Sequence, residues 1–184
     1  HVILAEPGSL EVDKAYYEPG GSFSPSVGSF GVSVWLRNES GDLQLTSDSI
    51  PEDEINQQLT WRADSPIPGI IAETPYYQTE WFMDRSKDWR LKLTPKQGQL
   101  EPAQTRSPQL IIRSVGPAGS PIKALSWDGQ QLLINQRWSV MPTRPPAKVS
   151  LGEEGQNNWV NQTSDLDSWE GESGWGYARL ALAE

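Results

Sequence analysis

The chain of 184 residues contains no cysteine. This absence excludes disulfide bonds, a thiol nucleophile and thiolate-ligated metal sites. Histidine is almost absent as well, since His1 is the only one. A serine–histidine–aspartate triad needs a base that a third group holds rigidly, and a single terminal histidine does not provide one. A copper site built on the amino group and ring of His1 would need a second histidine. These catalytic centres are therefore excluded.

Basic clusters and long apolar runs are lacking too. Lysine and arginine together number 15 against 24 acidic residues, and the net charge is −9. A nucleic-acid-binding surface requires clustered positive charge, and anionic membrane surfaces repel an acidic protein. No apolar stretch approaches the roughly 20 residues that a membrane span requires. We therefore predict neither a nucleic-acid partner nor a membrane partner.

The dominant pattern in the sequence is an alternation of apolar and polar residues between turn signals. Residues 77–83, for example, place large side chains at every second position, which predicts a strand with one buried face. The dipeptide Asp128-Gly129 lies between two such stretches and predicts a hairpin with a two-residue type I′ turn. Together these patterns predict an all-β fold, an antiparallel β-sandwich of roughly 8–11 strands with long loops. We expect a single domain over residues 1–184, with a possible N-terminal arm over residues 1–25.

Carboxylates remain candidates for chemistry because they are abundant. Nine of the 24 cluster in predicted loops, which is typical of a solvated surface; these are Glu52–Glu54, Glu153, Glu154, Asp165, Asp167, Glu170 and Glu172. Glu80 differs because it lies beside Trp81 on a predicted strand, and it is the acid that most resembles a catalytic residue. Residues 165–172 begin like a calcium loop but lack the glycine and the final glutamate of an EF-hand. A looser, oxygen-ligated Ca²⁺ site stays open there, and we predict no other cofactor.

Tryptophan is unusually frequent, with nine residues. Trp81 lies on the strand predicted over residues 77–83. Five others also lie in strand patterns, where packing in the core best explains a large apolar ring; these are Trp35, Trp61, Trp89, Trp127 and Trp138. Trp159, Trp169 and Trp175 lie instead in a polar stretch near the C-terminus, among Asn, Asp, Glu, Gly and Ser. These three rings either cover the edge of a sheet or remain exposed to contact a ligand.

The composition is similar to that of carbohydrate-binding modules and of the β-sandwich domains attached to glycoside hydrolases. We therefore hypothesise a non-catalytic, extracellular or periplasmic domain that binds a neutral glycan by stacking on indoles and hydrogen bonding to hydroxyls. The predicted ligand-binding residues are Trp159, Trp169, Trp175, Tyr177, Asn157, Asn158, Asp165 and Asp167. Two alternatives stay open. One is a structural or protein-interaction domain of a larger secreted or surface protein, which would bind a partner protein. The other is a small glycoside hydrolase with two carboxylates, one of them Glu80.

Overall fold

The fold is all-β. A computed structural model describes residues 2–5, 9–12, 29–38, 41–44, 58–63, 66, 69–73, 77–96, 107–115, 122–155 and 162–182. Every regular element in these ranges is a β-strand, and the paired strands run antiparallel. The predicted antiparallel sandwich is confirmed. The described residues form 15 strands, more than predicted, because several strands have only three or four residues.

The strands follow one another in a simple chain order. They are β1 (Val2–Ala5), β2 (Ser9–Val12), β3 (Ser29–Asn38), β4 (Gly41–Gln44), β5 (Gln58–Trp61), β6 (Gly69–Glu73), β7 (Tyr77–Met83), β8 (Trp89–Pro95), β9 (Ser107–Val115), β10 (Ala124–Trp127), β11 (Leu132–Ile134), β12 (Trp138–Val140), β13 (Lys148–Glu153), β14 (Ser168–Glu170) and β15 (Gly176–Ala181). The predicted N-terminal arm contains β1 and β2.

Three sheets are built from these strands. Sheet A has seven strands in the order β1-β2-β3-β9-β15-β13, with β4 also paired to β3. Sheet B has the order β5-β6-β7-β8, and sheet C has the order β12-β11-β10-β14. Sheet B is a simple meander of neighbours in the chain. Sheet A joins strands that are far apart in the sequence, since β15 lies between β9 and β13.

One hydrophobic cluster connects all three sheets. Sheet A contributes alternate residues of its central strands, namely Phe30, Val32, Val34, Leu110, Ile112, Leu151, Ala178 and Leu180. Sheet B contributes Ile70, Tyr77 and Trp81, and sheet C contributes Leu125, Leu132 and Ile134. Since successive side chains of a strand point to opposite faces, this periodicity defines the core face of each sheet. The alternation predicted for residues 77–83 is confirmed on β7.

Trp61 corrects one prediction about the core. Trp61 pairs with Ile70 on β6, and Ile70 pairs in turn with Trp81 on β7. Both Ile70 and Trp81 are buried on the core face of sheet B. Trp61 is nevertheless 61% exposed. The reason is its position on β5, an edge strand of sheet B that pairs on one side only among the described residues. Alternation predicts the face of a strand, but it carries no information on how far that strand lies from the sheet edge.

The hairpin at Asp128-Gly129 forms where the sequence predicts it, between β10 and β11, but the predicted turn type is wrong. A type I′ turn requires positive φ at both central residues, and in this loop only Gly129 has it, at 95°. The Asp128 carboxylate instead accepts hydrogen bonds from the backbone N–H groups of Gln130 and Gln131, each at 2.8 Å. The bonds from Gln131 and then Gln130 hold the pKa of Asp128 below its ordinary value.

The next turn offers a test of backbone strain. Asn135 and Gln136 have φ values of 52° and 54°, and the Arg137 N–H donates to the Ile134 carbonyl at 3.0 Å. A left-handed residue other than glycine costs about 1–2 kcal/mol, partly offset by the greater entropy that glycine loses on folding. We expect Gln136→Gly to raise the free energy of unfolding by about 0.5–1 kcal/mol in urea denaturation.

The matched control is Gln130→Gly, because Gln130 is also an exposed turn glutamine but has no positive φ. Glycine there relieves no strain and should destabilise the protein slightly through the entropy of the unfolded chain. Equal destabilisation by the two substitutions would contradict the strained conformation of Gln136.

Candidate functional site

Trp169, one of the predicted ligand-binding residues, is partly buried against the hydrophobic cluster. It lies on β14 opposite Leu125, and its half-buried ring packs against the hydrophobic cluster. Two glycines make room for the ring. A Cβ added to Gly171 would lie 2.5 Å from Cζ2 of Trp169, and one added to Gly176 would lie 2.5 Å from Cζ3. The indole therefore packs directly against the backbone of Gly171 and Gly176. This packing explains how a ring with polar sequence neighbours is partly buried.

Trp175 has the opposite environment. The backbone on both sides of it is bonded to Ile122, whose N–H donates to Gly174 at 3.0 Å and whose carbonyl accepts from Gly176 at 2.9 Å. The carbonyl of Trp175 accepts from the Glu154 N–H at 2.6 Å. Trp175 is nevertheless 40% exposed. An exposed ring on a fixed backbone loses little conformational entropy when a ligand binds.

Because successive side chains alternate along β15, each of its residues points to one face of sheet A or the other. Gly176 contacts the core, so Trp175 and Tyr177 on either side of it point to the other face. We call this the polar face. Its described members are Ser33, Trp35, Gln109, Ile111, Arg113, Ser150, Gly152, Glu154, Trp175, Tyr177 and Arg179. Most of them are buried, and none belongs to the hydrophobic cluster. Sheet A therefore carries an apolar face and a mixed polar and aromatic face.

Tyr177 lies within the polar face and not on its surface. It is 2% exposed. Its ring lies against the backbone of Gly152, where an added Cβ would be 2.9 Å from Cε1 of Tyr177. Burial raises the pKa of the Tyr177 hydroxyl, and the charge of Arg179 opposes this shift. With so little exposed surface, Tyr177 supports the residues around Trp175 without offering a contact surface of its own.

Glu154 is the most unusual polar group of this face. Its side chain is only 16% exposed, and its Oε1 lies 3.7 Å from Nε of Arg113. Its Oε2 is buried and has no hydrogen-bond partner among the described residues. Burial raises the pKa of Glu154, while the Arg113 charge acts in the opposite direction. Because its pKa is raised in the folded state, ionised Glu154 opposes folding, and this cost falls as the pH drops through the raised pKa.

Glu154 also corrects the prediction from the sequence, which places it in a solvated loop with Glu153. It directly follows β13 and continues the series Ser150, Gly152, Glu154 on the polar face. Glu153 points to the opposite face and is exposed. The signal that could have revealed this is the alternation of small polar residues with Val149 and Leu151. Two adjacent glutamates in a sequence do not show which of the two side chains is buried.

Two of the remaining predicted site residues, Asp165 and Asp167, contact other parts of the chain. Asp165 is exposed, and its Oδ1 lies 3.0 Å from Nζ of Lys148. Asp167 is exposed as well, and its carbonyl accepts from the Trp127 N–H at 2.8 Å. Trp159, Asn157 and Asn158 lie outside the described residues, so their places in the site stay predictions. Within the described ranges, no group of three or more acidic or histidine side chains could hold a metal ion, calcium included.

Glu80 has the environment of a structural ion pair. Its Oε1 lies 3.1 Å from Nε of Arg62, which also stacks over the ring of Phe82 at 5.0 Å. The stem of Arg62 crosses Gly69, where an added Cβ would lie 2.6 Å from Cδ of the arginine. Packing of the arginine stem and its contact with an aromatic ring explain this arrangement on the outer face of sheet B. It gives no support to a catalytic role for Glu80.

Comparison of the chain with protein-family models, with curated proteins and with solved structures finds no match. In the part of the chain that the structure describes, no helix is long and apolar enough to cross a membrane. A function must therefore be inferred from the geometry around Trp175.

Proposed function

We propose that this protein is a non-catalytic carbohydrate-binding domain, with Trp175 as its stacking surface. The observation that carries the proposal is the combination of an exposed indole with a backbone held on both sides. Sugar rings present C–H groups that pack well on an indole face, and their hydroxyls need hydrogen-bonding groups nearby. Glu154 and Arg113 supply such groups on the same face. A rigid aromatic surface beside a few polar groups is typical of ligand sites.

Charge favours a neutral glycan. The chain carries a net charge of −9, which opposes the approach of polyanionic ligands. A neutral oligosaccharide meets no such barrier and makes its contacts through shape and hydroxyl groups. A glycan ligand would also agree with the predicted extracellular or periplasmic location and with a role as an accessory domain of a glycan-degrading enzyme. Both of these remain proposals.

The test is the removal of the Trp175 ring. We expect the wild-type protein to bind at least one of cellohexaose, xylohexaose, mannohexaose and maltohexaose in calorimetric titrations. Trp175→Ala should weaken that binding about ten-fold or more, which corresponds to roughly 1.4 kcal/mol of lost stacking. The free energy of unfolding should fall by less than the roughly 3–5 kcal/mol of a fully buried tryptophan, because 40% of Trp175 is already exposed.

Trp61→Ala is the matched control, since Trp61 is an even more exposed indole but belongs to sheet B. It should leave glycan affinity unchanged. Binding that survives Trp175→Ala, or the absence of binding to all four oligosaccharides, would refute the proposal.

The second candidate is a protein-interaction domain, and the exposure of Trp61 on an edge strand is the observation that favours it. Exposed aromatic side chains are common anchors in protein interfaces. The two candidates differ in which indole matters. A glycan-binding domain depends on Trp175, whereas an interaction through sheet B would depend on Trp61.

A further inference from the structure

Glu154 and Trp175 are direct neighbours across strands. The Glu153–Gly176 pair of the β13–β15 ladder is followed in register by Glu154 and Trp175, which are joined by the 2.6 Å bond between the Glu154 N–H and the Trp175 carbonyl. Residues that lie opposite each other in an antiparallel pair share a face, with Cβ atoms about 4.5–5.5 Å apart. The side chains of Glu154 and Trp175 therefore leave neighbouring positions on the same face of sheet A.

The carboxylate is held in a state that costs free energy. In the part of the chain that the structure describes, Glu154 Oε2 is buried without a hydrogen-bond partner. Its other oxygen is 3.7 Å from Nε of Arg113, a distance that gives charge attraction but exceeds a hydrogen bond. An acceptor buried without a donor is uncommon in folded proteins and often marks a functional group. A ligand hydroxyl that reaches the carboxylate must approach through the 16% of the Glu154 side chain that is exposed.

We propose that Glu154 is the specificity-determining residue of the Trp175 site and accepts hydrogen bonds from the hydroxyl groups of an uncharged pyranose ring stacked on the indole. This inference rests on the proposed function and names its substrate class. A carboxylate has only acceptors, so it favours groups that donate, and sugar hydroxyls do so. It repels carboxylates, so it selects against uronic acids of the same shape.

The experiment compares Glu154→Gln with Glu153→Gln. The two residues are adjacent, but Glu153 is exposed on the opposite face, so it controls for the loss of one negative charge. Each variant is titrated with the neutral hexasaccharides named above and with an oligogalacturonate. We expect Glu154→Gln to weaken binding of the neutral ligand about ten-fold or more, while Glu153→Gln leaves it unchanged. The wild-type protein should bind oligogalacturonate more weakly than the neutral ligand.

Thermal unfolding supplies a readout that needs no ligand. Since burial raises the pKa of Glu154, the folded protein disfavours its charge, and a neutral amide of the same shape should leave the melting temperature unchanged or raise it. Weaker binding without lower stability is the signature of a recognition group. A marked fall in melting temperature would show that Glu154 is structural and would overturn the inference.

The titrations separate the two proposals. If Trp175→Ala abolishes binding but Glu154→Gln does not weaken it, the inference about Glu154 is wrong and the carbohydrate-binding function stands. Preferred binding of oligogalacturonate by the wild type would likewise contradict the inference about Glu154 alone. If no oligosaccharide binds, or if Trp175→Ala leaves the affinity unchanged, the proposed function is wrong and so is the inference about Glu154.

Discussion

Trp169→Ala should lower the free energy of unfolding by about 3 kcal/mol and leave less of the protein folded at any urea concentration. The ring is half-buried, packs against the hydrophobic cluster and covers the backbone at Gly171 and Gly176. Removing it leaves a cavity that β14, a strand of three residues, cannot refill by a small movement. The expected loss is therefore at the low end of the range for a fully buried tryptophan.

Trp175→Ala and Trp61→Ala are the natural comparisons for this prediction, because both remove an indole that is largely or partly in solvent. Each should cost less than Trp169→Ala, because more of each indole is already exposed to solvent. A Trp169→Ala protein that is as stable as these two would show that the ring does not belong to the core. In that case its assignment as a ligand contact would regain support.

Gly176→Ala should destabilise the protein by roughly 2–3 kcal/mol, although the substitution adds only one methyl group. The new Cβ would lie 2.5 Å from Cγ2 of Ile122, 2.5 Å from Cζ3 of Trp169 and 3.0 Å from the Ile122 carbonyl oxygen. The ring of Trp169 could move, but the Ile122 carbonyl accepts the hydrogen bond of the Gly176 N–H and is fixed. The sheet would have to shift at the base of Trp175.

Gly155→Ala is the control, since a Cβ added at Gly155 meets no atom within 4 Å. In urea denaturation it should change the free energy of unfolding by no more than about 0.5 kcal/mol, as ordinary surface substitutions do. If both alanine variants unfold at the same urea concentration, the close packing of Ile122 and Trp169 around Gly176 is wrong.

Much of the fold could be predicted because strand alternation is a local property. Residues 77–83 alternate in the sequence, and the same residues alternate in burial. The position of a strand within its sheet is a non-local property, and this is why the alternation predicts a buried Trp61 although β5 is an edge strand. The location of the turn at Asp128 is a local property as well, but its type depends on how the flanking strands enter the loop.

The candidate site could be predicted only in part. The polar neighbours of Trp175 distinguish it in the sequence, and it is exposed. Trp169 has equally polar neighbours but packs against the core, since glycines from two separate segments leave room for its ring. Alternation along β13 could have indicated the face of Glu154, but its place opposite Trp175 depends on the register of β13 against β15. Composition and local pattern carry no record of that pairing.

The position of β15 has a consequence for how the protein is made. This strand lies between β9 and β13, so β13 cannot join sheet A through β15 until residues 176–181 have left the ribosome. The pairing of β15 with β9 also closes a loop of more than sixty residues, and contacts of this range slow the search for the native topology. Sheet B, a meander of neighbouring strands, has no such delay. The ladder that positions Trp175 therefore belongs to the last part of the domain to become native during synthesis.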